Sequence, residues 1–109
     1  MNAITTAKTI LADSEMVAFL NEVAPEAVEQ AEDMIGHYNQ YVSCAAPDLY
    51  MDEGDYMDAS DNERECEWAC EEISEAIESM KAAFRRNGPS YFGSCGYLKR
   101  LSTPAAKAL

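Results

Sequence analysis

The sequence predicts an all-α fold: a small three- to four-helix bundle with an elongated third helix, an acidic inter-helix loop and an irregular C-terminal segment. Two long stretches in which apolar residues return at three- and four-residue steps argue for helices. Capping and stopping residues stand at the ends of those stretches. A chain of 109 residues, 48% of them hydrophobic, has the apolar surface for one core and one domain, 1–109, with 1–12 and 102–109 expected to fray.

Taken in order, residues 3–11 suit a turn or two of helix. Ser14 to Val23 forms the next, with Asp13 or Ser14 as cap and Val17, Leu20 and Val23 turned inward. A longer helix starts at Pro25, a residue at home in a first helical turn, and runs to about Cys44 before Pro47. Its apolar stripe is Val28, Ala31, Met34, Ile35, Tyr38, Tyr41, Val42 and Ala45. Gly36 within it costs about 1 kcal/mol against alanine.

Pro47 to Ala59 (PDLYMDEGDYMDA) carries no helical period and reads as an acidic loop. Ser60 or Asp61 then caps the clearest helix, with Glu63 and Glu65 placed well against its dipole. Cys66, Ala69, Cys70, Ile73, Ala76, Ile77, Met80, Ala83 and Phe84 line one face. Asn87-Gly88-Pro89 is expected to stop it. Some 27 residues make a rod of about 40 Å, longer than the roughly 34 Å breadth of a compact globule of this size, so an elongated shape is expected. Beyond Pro89, Gly93, Ser94 and Gly96 argue against a long regular element. Tyr91, Phe92 and Tyr97 are expected to lie over the core as a lid, with a second contact surface beside Lys99 and Arg100 as the alternative.

Charge is the most informative property. Twenty acids against eight bases give a net charge of −12. All 20 acids lie between Asp13 and Glu78, with Arg64 the single base among them, whereas Ser79 to Leu109 holds six bases and no acid. A field of that sign repels nucleic acid and anionic lipid and attracts cations and basic proteins. No direct binding to nucleic acid or membrane is therefore expected. The longest run without a charged side chain, Tyr38 to Pro47, is too short and too polar to cross a bilayer. Met1 to Leu11 has no secretory pattern, so a cytoplasmic location is expected, and with it reduced thiols at Cys44, Cys66, Cys70 and Cys95.

The pattern most suggestive of function is the row Glu67, Glu71, Glu75 and Glu78, spaced four, four and three residues on one ridge opposite the apolar stripe. Like charges at that spacing weaken a helix by roughly 0.2–0.5 kcal/mol per pair. No lysine interrupts the row before Lys81. Glu26, Glu29 and Asp33, with Glu22 before them, repeat the pattern on the preceding helix, and the loop adds Asp52, Glu53, Asp55 and Asp58. Carboxylates four apart rise about 6 Å along the axis, a spacing that a surface built for phosphates every 3.4 Å along a strand can accept.

The expected partner is therefore a basic protein surface, above all one that binds nucleic acid, met by Glu67, Glu71, Glu75, Glu78, Asp52, Glu53, Asp55 and Asp58. Inhibitors of restriction or CRISPR effectors, carried by phages and mobile elements, share this composition and size. The comparison is one of charge, with no motif behind it. Tyr50, Met51, Tyr56 and Met57 add interface-prone side chains to the loop.

Other chemistries find less support. The loop acids fit no EF-hand register, and Cys66 and Cys70, one turn apart, are expected as small core residues rather than zinc ligands with His37 and Cys44. His37, the lone histidine, is expected to be partly buried. With no phosphate-binding loop, nucleophile elbow or HExxH, neither catalysis nor a cofactor is expected. Two alternatives remain: a helical module that pairs with its own copy through Ile73, Ile77, Met80 and Phe84, and a zinc-stabilised domain.

Overall fold

The computed structural model describes residues 2–45 and 59–109, and the described residues are all-α. Five helices follow in order: α1 (Ala3–Leu11), α2 (Ser14–Val23), α3 (Pro25–Ala45), α4 (Ala59–Arg100) and α5 (Pro104–Ala108). The loop acids Asp52, Glu53, Asp55 and Asp58, with Tyr50, Met51, Tyr56 and Met57, lie outside the described residues.

Each short helix begins on a polar cap. Asn2 Oδ1 accepts from the Thr5 amide at 2.8 Å, and Asp13 Oδ1 accepts from the Met16 amide at 3.0 Å. These bonds take up amides that the first helical turn leaves without partners. In α1, Ile4, Ala7 and Ile10 recur at three-residue steps and are buried. In α2 the buried set is Met16, Phe19 and Leu20. Leu20 is thus inward as expected, whereas Val17 and Val23 are only half-buried because the helix turns the bulkier Phe19 to the core.

Helices α3 and α4 run antiparallel along most of their shared length. Gln30 faces Glu72 near the start of α3, and Tyr38, two turns on, lies beside Cys66 and Cys70. Val28 and Ala31 of α3 pack with Ile73, Ala76, Ile77 and Met80 of α4 in one core that α1, α2 and α5 complete. The molecule measures 57 × 20 × 19 Å.

Asn87-Gly88-Pro89 does not end the long helix, contrary to expectation. Helical backbone continues through Pro89 to Phe92, and the break falls at Gly93, whose φ of 74° and ψ of 162° are open to glycine alone. Pro89 lacks the amide that would bond the Arg85 carbonyl, but both residues are exposed and water can serve that oxygen. Aromatic packing outweighs the local stop signal. Phe84 and Phe92 each contact Phe19, at ring separations of 6.0 and 5.1 Å, and the helix that continues through Pro89 brings both to it.

After Gly93 the chain doubles back, so that Tyr97 lies 5.3 Å from the Phe84 ring. The C-terminal segment is therefore a short helical arm, not the irregular stretch expected. Residues 102–109 are also ordered by packing. Thr103 Oγ1 accepts from the Ala106 amide, and the small side chains of Ala105 and Ala106 let α5 approach α1 closely.

Candidate functional site

The four carboxylates predicted on α4, Glu67, Glu71, Glu75 and Glu78, are all exposed. They lie opposite Ala69, Ile73, Ala76 and Met80, which are fully buried. The arrangement follows from helical geometry: a stripe buried on one side leaves residues half a turn away in water. Over the 11 residues from Glu67 to Glu78 the row rises about 16 Å.

Within the chain these acids receive little counter-charge. Glu78 pairs with Lys81 at 3.4 Å, with side chains 73% and 33% exposed, so the bond contributes little. Glu67, Glu71 and Glu75 form no ion pair among the described residues. Arg100 is engaged at the other end of the molecule. It donates to Asp13 Oδ2 at 2.7 Å and Glu15 Oε2 at 2.9 Å, and its guanidinium carbon lies 5.6 Å from the centre of the Phe92 ring.

The second ridge is similarly placed. Glu26, Glu29 and Asp33 are exposed on α3, and Glu22 is exposed at the end of α2. Glu72, between the ridges, is half-buried, and its Oε2 accepts from Gln30 Nε2 at 2.7 Å. That bond ties α3 to α4 and takes Glu72 out of the outward row.

Charge is thereby separated along the rod. Among the described residues, 23–45 and 59–78 hold 12 acids and one base, whereas 2–22 and 79–109 hold three acids and seven bases, a formal −11 against +4. Two of those three acids, Asp13 and Glu15, are bound by Arg100. Burial alone would raise the Asp13 carboxyl, but the Met16 amide and the Arg100 guanidinium outweigh it and hold the group below its ordinary value.

Trp68, the chain's single tryptophan, lies outside the residues that the sequence pattern marks for the site. It is 42% exposed and stands at the α3–α4 seam, 6.4 Å from the His37 ring in an edge-on arrangement. A signal was present: Trp68 does not belong to the stripe that includes Cys66, Ala69, Cys70 and Ile73. His37, expected to be partly buried, is exposed beside it.

Cys66 and Cys70 are half-buried, and burial foremost pushes both thiols up, with Glu65 adding to the effect at Cys66 and Cys66 at Cys70. Among the described residues no three His, Cys, Asp or Glu side chains come together to hold a metal ion. Tyr97 and Phe92 cover the core, as a lid would, while Tyr91 is 44% exposed with its ring 4.8 Å from Phe19. Ile73, Ile77, Met80 and Phe84, the face expected to pair in a self-associating module, are buried by the chain's own helices. No described helix is long and apolar enough to cross a membrane. No protein-family model, curated protein or solved structure matches the chain, so the reading of this surface rests on its own geometry.

Proposed function

We propose that this chain is an acidic binding protein that docks its α4 carboxylate row on a basic, nucleic-acid-binding surface of a partner protein and so competes with nucleic acid for it. The observation that carries the reading is that Glu67, Glu71 and Glu75, three exposed carboxylates in one row, form no ion pair among the described residues. A helix selected for stability alone gains from lysines interleaved at that spacing. Their omission is explained if the cations are supplied by another molecule. A rod about 20 Å thick that carries such a row resembles a nucleic-acid strand in charge to a groove lined with Lys and Arg, and complementary fields of this kind speed encounter and select partners. Inhibition of a restriction or CRISPR effector is the form of this activity that the chain's size and charge suit best.

The test is competition. Proteins captured from host lysate on the wild-type chain are expected to be released by duplex DNA and by salt near 0.5 M, where the Debye length is only about 4 Å. The triple variant E67K/E71K/E75K should lose them. Retention of the same proteins by that variant, or indifference of the complex to DNA, would remove the reading.

A further inference from the structure

Charge alone does not explain why an acidic surface should carry a half-exposed indole. Trp68 is 42% exposed, and one turn away along α4 stand Arg64, Glu65, Glu71 and Glu72. Across the seam His37 meets the indole edge-on, and Asp33 is one turn from His37 on α3. The indole is not part of the core cluster, in which Ile73, Ala76, Ile77 and Met80 of α4 pack with Val28 and Ala31 of α3.

We propose that Trp68 anchors the acidic surface and receives an arginine side chain of the basic partner, its guanidinium stacked on the indole and its N–H groups donating to neighbouring carboxylates, Glu71 foremost. The occupant follows from complementarity. An indole is the best aromatic platform for a cation, and the surrounding acids set the sign of the field. Arginine fits better than lysine because its guanidinium is planar, weakly hydrated and able to stack while it donates in its own plane. Trp and Arg are also the residues in which interface energy concentrates. The inference rests on the acidic-surface reading above and adds to it a side-chain preference that charge by itself does not produce.

The full chain can be tested with two synthetic probes, oligo-arginine and oligo-lysine peptides of equal length at matched low salt. Binding is followed by calorimetry and by tryptophan emission, which reports Trp68 alone. The arginine peptide should bind more tightly and alter the emission, and Trp68→Leu should narrow its advantage over the lysine peptide by roughly two- to fivefold, the worth of one exposed cation–π contact. Leucine keeps an apolar side chain at the seam, and circular dichroism checks the fold. An unchanged advantage in Trp68→Leu, or wild-type emission that ignores bound arginine peptide, overturns the anchor and leaves the acidic surface standing. Failure of both peptides to bind at low salt overturns the anchor and the acidic-surface reading together.

Discussion

Tyr97 rests its ring on the bare backbone of Gly88: a Cβ at residue 88 would lie 2.8 Å from Tyr97 Cε2, closer than carbon atoms approach without displacement. The contact joins the long arm of α4 to the short arm that follows Gly93, and Phe84 supports the same ring at 5.3 Å. Gly88→Ala should therefore destabilise the chain by about 1 kcal/mol, because overpacking outweighs the gain in helix propensity. Gly36 lies inside α3 with open space around it, and Gly36→Ala should stabilise by about 0.5–1 kcal/mol. Urea denaturation of the two variants should shift the midpoint in opposite directions. In a Tyr97→Ala background the sign at residue 88 should reverse, and a penalty that persists there would show that Tyr97 is not its cause.

Gly93 makes the reversal possible. Its φ of 74° with ψ of 162° lies in a region that side chains exclude, although the space around it is open. Gly93→Ala should cost about 1–3 kcal/mol through backbone strain alone. Because the strain can be relieved by straightening the helix, near-ultraviolet dichroism from the Tyr91, Phe92 and Tyr97 cluster should weaken more than far-ultraviolet helicity. Equal loss of both signals would mean that the reversal does not give way separately.

These two glycines show where local sequence signals stop being informative. The α2 boundaries and the Asp13 cap are legible because they depend on residues a few positions apart, and the α4 carboxylate row is legible because period alone places it opposite the buried stripe. Asn87-Gly88-Pro89 misleads because its effect is decided by Phe19, roughly 70 residues away in sequence, which draws both Phe84 and Phe92 onto itself. The C-terminal residues mislead for the same reason. Ala105 and Ala106 carry no strong propensity signal in so short a tail, and only contact with α1 makes their small size useful. Trp68 is missed because exposure of an aromatic at a helix seam depends on how α3 crosses α4, which no spacing within α4 reveals.

Asp13 combines a helix cap with a charge pair, and pH separates the two. Its carboxyl lies below the ordinary value of 3.8 in the folded chain. The stability it adds is therefore complete above about pH 4 and drains away as pH falls through the lower folded value. Asp13→Asn keeps an acceptor for the Met16 amide but removes the charge facing Arg100. It should cost about 1 kcal/mol at pH 7, a difference that narrows as pH falls below about 4, whereas Asp13→Ala loses the cap as well and should remain the less stable variant at every pH. Denaturation of the three proteins between pH 3 and 7 checks this. A wild-type advantage over Asp13→Asn that does not shrink as pH falls from 7 to 3 would be incompatible with a charge origin.

The carboxylate row should trade stability for binding. Glu71 stands one turn from both Glu67 and Glu75, so Glu71→Gln removes two like-charge contacts while keeping the size and helix propensity of the side chain. The isolated chain should gain about 0.5 kcal/mol at low salt, and the gain should vanish near 1 M salt, where charges a turn apart are screened. The same substitution should weaken binding to oligo-arginine, because it removes a charge that the bound cation faces. Opposite signs in the two measurements are what a row kept for a partner requires. A face kept only for solubility predicts a gain in stability with binding unchanged, so thermal melts and titrations of this one variant at two salt concentrations decide between the two origins of the acidic ridge.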